Sequence, residues 1–159
     1  MKRLDYKWLV GIAFVFGLLM DLLDMTIVNV ALPALQREFH VNVDTVEWVV
    51  TGYLLSLAVF IPASGYLADR FGSKRIYLIA LAAFTAASAL CGLAQSEGML
   101  IAFRVLQGAG GGMMVPVGTA MLFREFAPEE RATASSVLAI PTVFAPVAGR
   151  FWAECWWSS

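Results

Sequence analysis

Three ionisable residues interrupt stretches of this chain that are otherwise apolar. Asp21 and Asp24 stand in one such stretch and Arg104 in another. An ionisable side chain at the centre of a lipid bilayer costs at least ~2.5 kcal/mol on insertion scales, so its presence needs a reason. A carboxylate at that depth stays ionised beside a cation and takes up a proton without one. These residues therefore indicate exchange of a proton for another contact, with structural pairing between helices as the alternative.

The spacing of these residues suits a shared interior. In a helix Asp21 and Asp24 lie ~60° apart, and Asn29 lies ~80° from Asp21. If their helices run in opposite directions, Asp24 lies ~13 Å below the outer end of its helix and Arg104 ~8 Å below the start of its own. We therefore expect the two charges to meet or to share a wet cavity. Asn29 and Gln107 fit equally well as hydrogen-bonding residues between helices.

The elements that position these residues are apolar spans. The chain has 159 residues, 60% of them hydrophobic and 14% charged, and a mean hydropathy of +0.74. A helix of roughly 20 apolar residues crosses the ~30 Å hydrocarbon core, and lipid offers unpaired backbone groups no partner. We predict an all-α membrane protein with four full transmembrane helices and a partial fifth, the first ending near Pro33. The predicted helices are residues 8–32, 48–68, 76–94, 99–123 and 132–149.

Other classes of protein fit the composition poorly. A net charge of −1 gives no sign of nucleic-acid binding. Cys91, Cys155 and His40 provide neither a disulfide framework nor a metal site, and we expect no enzyme and no cofactor. Basic residues before the first apolar run would also suit a cleavable signal peptide, but that run is too long and lacks a cleavage site. A retained first helix is the better interpretation.

Basic residues indicate the orientation of the spans. They cluster before helix 1, between helices 2 and 3, and between helices 4 and 5, whereas Arg37 is alone on the opposite side. Because positive loops stay on the cytoplasmic side, we predict a multi-pass protein of the cell inner (plasma) membrane with a cytoplasmic N-terminus. The clustered basic residues are Lys2, Arg3, Lys7, Arg70, Lys74, Arg75, Arg124 and Arg131.

Glycines of the fourth span predict close helix packing. Gly108 and Gly112 form a small-xxx-small pair, with Gly110 and Gly111 between them. Another helix can approach such a strip, and Pro116 is placed to kink the helix beyond it. Packing alone explains these glycines.

The stretch "GYLADRFGSKR", residues 65–75, carries more than a positively charged link requires. Asp69 falls at the C-terminal end of the second helix, where a carboxylate opposes the helix dipole. Gly72 permits a tight turn. Since a plain cytoplasmic link needs neither of these residues, we interpret this stretch as a specific structural latch.

Three stretches together resemble motifs of the major facilitator superfamily, specifically of its fourteen-helix drug:proton antiporter branch. "GYLADRFGSKR" resembles the motif between helices 2 and 3, "LIAFRVLQGAG" the helix 4 motif, and "LLDMTIVNVALP" the helix 1 motif of the branch. Ser73 stands where the family usually has a basic residue. The matching residues are Gly65, Leu67, Asp69, Arg70, Gly72 and Lys74, then Leu100, Arg104, Gln107 and Gly108, then Asp24, Thr26, Asn29, Ala31 and Pro33.

The resemblance implies roles for these residues. Asp24 and Arg104 would belong to the proton-coupling and substrate cavity, with Asp21, Asn29 and Gln107 as further candidates. Asp69 would meet a helix of the second half of the transporter. The cytoplasmic gate motif comprises Gly65, Asp69, Arg70, Gly72, Lys74 and Arg75.

Transport by this family implies particular partners. The family moves its substrate by rocking two bundles about a midplane site. Its partners would be the lipid bilayer, a small lipophilic substrate, protons and the C-terminal half of the transporter. The proton gradient would supply the energy. An importer or metabolite exporter of the same superfamily, or a membrane partner protein that transports nothing, remain alternatives.

The end of the chain departs from the family pattern. "VFAPVAG" follows the helix 5 motif, and Pro146 and Gly149 would serve helix packing. We therefore assign residues 1–149 to an incomplete N-terminal bundle. Residues 150–159, "RFWAECWWSS", are too rich in Trp and charge for a helix core. Inserting one base in a permitted coding of this tail gives PVLGGVLVVV, which restores the pattern. We interpret the tail as a frameshift; a natural interfacial tail is the alternative.

Overall fold

A computed structural model describes residues 2–39 and 42–126, together with positions 130, 135, 136, 139 and 142. Across the two continuous ranges it has four helices, and each contains a stretch long and apolar enough to span a membrane. The predicted all-α membrane fold is therefore confirmed. Apart from those isolated positions, the predicted fifth helix lies outside the described residues. The helices are α1 (Lys2–Phe39), α2 (Val43–Phe71), α3 (Ser73–Gly92) and α4 (Glu97–Glu125).

Helix α1 continues past the proline at which we expected it to end. Pro33 lies inside α1, which extends to Phe39. Proline leaves the carbonyl of Asn29 without its usual helical donor, but membrane helices tolerate this loss. Close to the end of the helix, Nε of Arg37 donates to the carbonyl oxygen of Pro33 at 3.2 Å. The apolar run thus predicted the span but not the length of the helix.

The connection between α2 and α3 is a single residue. Gly72 has φ +90°, a value that L side chains rarely adopt. Its N–H donates to the carbonyl of Ala68 at 2.9 Å, and its own carbonyl accepts from the N–H of Ile76 at 3.1 Å. We expected Asp69 at the end of the second helix and the third helix to begin at residue 76, whereas α2 continues to Phe71 and α3 begins at Ser73. The hydropathy fell there because the helices leave the apolar layer while the backbone remains helical.

The described residues form two compact units, and each is described by itself. The first combines the residues up to Val30 with those from Gly118 onward, and the second is Ala31–Val117. In the first unit Phe14 and Leu122 are fully buried. Trp8 meets Phe126 edge-on with ring centroids 6.2 Å apart. Aromatic and aliphatic contacts therefore hold the start of α1 to the end of α4.

In the second unit, α4 packs against α2 and α3. Successive positions of α4, from Val105 to Gly112, approach successive positions of α2, from Gly52 to Phe60, so these two helices run in the same direction. Helix α3 runs the other way, because Gly110 approaches Ala80 while the earlier Gln107 contacts the later Cys91. Three consecutive helices thus alternate in direction, as successive membrane spans do.

Candidate functional site

The two carboxylates of α1 lie near the middle of its span, Trp8–Arg37. Asp21 is buried, with 8% of its surface exposed, whereas Asp24 is half-buried. Asn29 is exposed, and its Nδ2 donates to the carbonyl oxygen of Met25 at 2.9 Å. Its amide therefore bonds within α1. The structure places the two acidic residues, but not Asn29, on an enclosed part of the helix.

The polar residues of α4 are enclosed more completely. Arg104 is 7% exposed and Gln107, one turn later, is 0% exposed. Oε1 of Gln107 accepts a long hydrogen bond from Sγ of Cys91 at 3.7 Å. Within the described residues, Nε2 of Gln107 is buried without a hydrogen-bond partner. Since buried donors are usually satisfied, the two N–H groups of this amide have capacity for further acceptors.

The glycines of α4 lie directly against neighbouring backbones. A Cβ added to Gly108 would stand 2.5 Å from the carbonyl oxygen of Tyr53, and one added to Gly112 would stand 3.2 Å from that of Leu57. Both contacts are with α2. A Cβ on Gly110 would meet α3, 2.8 Å from the backbone nitrogen of Phe84. Because real Cβ atoms do not come this close to backbone atoms, only glycine fits Gly108 and Gly110 in the present packing.

One polar contact between α2 and α4 was not predicted from the sequence. Oγ of Ser56 donates to the carbonyl oxygen of Val105 at 2.7 Å. On the same side of α2, a Cβ on Gly52 would lie 3.2 Å from Cγ2 of Val105. Gly52 and Ser56 themselves form a small-xxx-small pair, the signal that drew attention to α4. The same small-xxx-small spacing in α2 would have predicted this interface with α4.

The residues of the predicted gate motif lie at the ends of α2 and α3 around Gly72. Asp69, Arg70, Lys74 and Arg75 are exposed. Nη1 of Arg70 donates to the hydroxyl oxygen of Tyr66 at 2.8 Å, which fixes the guanidinium beside its own helix. A Cβ added to Gly65 would meet nothing within 4 Å. In this structure Gly65 is therefore not required for packing.

The predicted cavity residues are divided between the two units. Asp21, Asp24 and Asn29 belong to the first, and Arg104 and Gln107 belong to the second. A shared proton-coupling cavity stays a prediction. The predicted packing residues Pro146 and Gly149 lie outside the described residues. No group of three or more metal-ligating side chains occurs in the described part of the chain.

Comparison with known families decides the class of protein. The model of the Major Facilitator Superfamily matches residues 14–153. The chain belongs to this family. The match includes the acidic segment of α1, the Gly72 turn and all of α4, so the resemblance inferred from three short motifs extends over most of the chain. The family assignment agrees with the four candidate membrane spans of the described residues.

Individual relatives carry names that refer to drug resistance. The chain is 43% identical over 126 residues to the multidrug resistance protein B homolog of Mycobacterium tuberculosis, which covers 79% of this chain. It is 39% identical over 142 residues to the putative multidrug resistance protein MdtD of Yersinia enterocolitica, and 34% identical over 142 residues to the probable multidrug resistance protein EmrY of Escherichia coli. Each of the latter two covers 89% of this chain. The chain spans only 23% to 29% of these three relatives.

Proposed function

We propose that this sequence is the N-terminal part of a fourteen-helix drug:proton antiporter that expels lipophilic, often cationic compounds as protons enter. The observation that carries the proposal is the enclosure of charge at membrane depth. Asp21 is buried and Asp24 half-buried near the middle of α1, and Arg104 is buried in α4. Ionisable residues at such positions mark ion and substrate pathways more often than they mark simple packing. The names of the relatives support a drug-like substrate.

Each charged residue has a distinct role in this proposal. Asp24 exchanges the proton, since its half-buried carboxylate is more accessible than that of Asp21. Arg104 is the residue that the resemblance to the family assigns to tuning this exchange in the intact transporter. Gln107 provides a fixed amide on the same side of α4, one turn away. Asp69 and its basic neighbours secure the gate against the second half of the transporter.

We further propose that these 159 residues do not transport on their own. The relatives are about three times as long, and the family binds its substrate between two bundles. Helices α1 to α4 supply part of one bundle. We place the N-terminus and the Gly72 turn on the cytoplasmic side of the inner membrane, following the distribution of basic residues.

Transport by the gene with its frame restored at codon 150 tests the proposal. Everted membrane vesicles with an acidic lumen should accumulate ethidium only when the gene is expressed. Replacing Asp24 by Asn should reduce that accumulation more than about tenfold at equal expression, because the exchange cycle loses its titratable group. Asp44→Asn is the matched control, since Asp44 is an exposed carboxylate in the first turn of α2.

The other outcomes discriminate between the alternatives. Full accumulation by the Asp24→Asn protein would remove Asp24 from the mechanism. Accumulation of a metabolite in place of ethidium would favour the metabolite exporter, and movement in the opposite direction would favour an importer. Absence of any transport by the restored gene, with the protein present in the membrane, would favour the non-transporting partner protein.

A further inference from the structure

A cluster of exposed basic and aromatic residues surrounds the Gly72 turn. We call it the turn patch, and its contacts centre on Arg70. Nη1 of Arg70 donates to the hydroxyl oxygen of Tyr66 at 2.8 Å. Cζ of the same guanidinium lies 5.6 Å from the ring centroid of Phe71. The turn patch comprises Tyr66, Arg70, Phe71, Lys74 and Arg75.

These contacts fix the guanidinium of Arg70 without neutralising it. Tyr66 contributes a neutral hydroxyl and Phe71 an aromatic ring, and neither carries negative charge. Among the described residues, no carboxylate forms an ion pair with Arg70. A guanidinium has five N–H donors in a planar fork, and the bond to Tyr66 uses one of them. A positive charge with spare donors is therefore held in one place on the surface.

The hydrogen-bonding groups of the patch complement a phosphate. The hydroxyl of Tyr66 accepts from Arg70 and so keeps its own proton to donate elsewhere. A phosphate beside the pair could accept two bonds from the guanidinium fork and one from the phenol. Bidentate arginine–phosphate bonds are charge-assisted and stronger than neutral hydrogen bonds. Lys74 and Arg75, both exposed, add positive charge in the first turn of α3.

The location of the patch favours a phosphate that belongs to a lipid. The apolar stretch of α2 ends at Phe71 and that of α3 begins at Ser73, so the patch lies where two candidate spans reach the membrane surface. Tyr66 is 64% exposed, as expected of an aromatic ring at headgroup level. One turn into α3, Leu78 and Ile79 are also exposed and offer apolar surface to acyl chains.

We propose that the turn patch binds the headgroup phosphate of an anionic phospholipid, with Arg70 and Tyr66 as the contacting residues. Basic side chains beside a membrane span attract anionic lipid by about 1 kcal/mol each when they are merely near the surface. Because Arg70 and Tyr66 are held together by a hydrogen bond, their remaining donors also orient the bound phosphate. Arg70 also belongs to the proposed gate motif, but lipid retention by the 159-residue chain is measured without transport. The lipid site can therefore stand or fail independently of the proposed antiport.

Native mass spectrometry of the 159-residue chain tests the site. The purified chain is titrated in detergent with phosphatidylglycerol or with phosphatidylcholine of identical acyl chains. Wild type should retain phosphatidylglycerol about tenfold better, because only this lipid brings an uncompensated negative charge. Arg70→Gln should abolish that preference. Tyr66→Phe should reduce the preference about threefold, because one hydrogen-bond donor is lost. Arg70→Lys should show a preference between those of wild type and Arg70→Gln, because lysine keeps the charge but lacks the planar fork of donors.

A matched control separates the site from general charge. Arg124 is an exposed arginine at the end of α4, outside the patch, and Arg124→Gln should keep the preference. Equal retention of both lipids by wild type, or equal losses in the Arg70→Gln and Arg124→Gln chains, would overturn the proposal. Displacement by soluble glycerophosphate at the same concentration would overturn the assignment to lipid. If circular dichroism shows that the Arg70→Gln chain has lost helicity, the two milder variants decide. Retention of phosphatidylglycerol equal to that of wild type by both Tyr66→Phe and Arg70→Lys would then overturn the proposal.

Discussion

Glycine serves two different purposes in the two regions that contain the family motifs. At the α4 interface, Gly108 and Gly110 leave no space for a side chain, because backbone atoms of α2 and α3 occupy it. Around the turn, Gly65 and Gly72 have nothing within 4 Å of an added Cβ. Gly72 is required by its φ of +90°, and Gly65 has neither constraint. Glycine is thus required for close helix packing at the α4 interface and for the backbone conformation at the turn.

The difference predicts which region is the more rigid. The α4 interface joins three helices through backbone contacts and a buried serine bond, so any change there must move a helix. The turn exposes its side chains and depends on one backbone conformation. In a transporter that moves bundles as rigid bodies, we expect the first region to hold the bundle together and the second to make contacts that form and break.

The largest effect should come from Gly108→Ala. The new methyl group would overlap the carbonyl oxygen of Tyr53 and Cβ of Ser56, and rigid helices cannot yield cheaply. We expect a loss of about 3 kcal/mol in the free energy of unfolding. Reversible unfolding in sodium dodecyl sulfate, followed by circular dichroism, measures it. A change below about 0.5 kcal/mol would mean that α2 and α4 are not in contact here.

Gly72→Ala should have the next largest effect. Alanine at φ +90° is strained, which costs about 2 kcal/mol, although the space around it is open. The same unfolding experiment gives the loss, and Gly92→Ala is a suitable control because Gly92 ends α3 and also has open space. Equal small effects at the two glycines would contradict the turn conformation.

A smaller effect is expected from Ser56→Ala. The substitution removes the hydrogen bond to the carbonyl of Val105 while leaving the helix contact intact, so we expect a loss of about 1 kcal/mol. In a double-mutant cycle with Gly108→Ala, the two losses should not add, because both sites belong to one contact. If the two losses in the free energy of unfolding simply add, Ser56 and Gly108 belong to independent interfaces.

The smallest effect should be that of Gly65→Ala, and its sign should be opposite. Gly65 is exposed within α2, and alanine favours a helix interior by about 0.5–1 kcal/mol over glycine. The 159-residue chain should therefore become slightly more stable. Destabilisation would show that Gly65 is packed against something in the folded protein and would weaken the contrast between the two regions.

The sequence predicted the parts of this structure that depend on composition. Apolar runs located the four helices. Intramembrane charges singled out Asp24 and Arg104, with Asp21 as a further candidate; Arg104 and Asp21 are buried and Asp24 is half-buried, and their roles stay predictions. Helix ends were harder to predict, because hydropathy marks the lipid boundary whereas hydrogen bonding marks the end of the helix. For this reason Pro33 lies inside α1 and the link before α3 shrinks to Gly72.

The sequence did not predict which residues of neighbouring helices are in contact. The glycine strip indicated a close approach, but the partners of Gly108 and Gly110 depend on the rotation of α2 and α3. The bond from Ser56 and the contact between Cys91 and Gln107 depend on it as well. Asn29 is exposed and its amide finds an acceptor within α1, so its place in a cavity stays a prediction.

Proton release on substrate binding tests the central claim most directly. The protein encoded with the reading frame that we propose from codon 150 onward is purified and held in weakly buffered detergent solution with a pH indicator, and a lipophilic cation is added. We predict that protons are released by wild type and by the Asp44→Asn control, and that the Asp24→Asn protein releases none. Undiminished release by the Asp24→Asn protein, or binding of the cation without any release by wild type, would contradict proton exchange at Asp24.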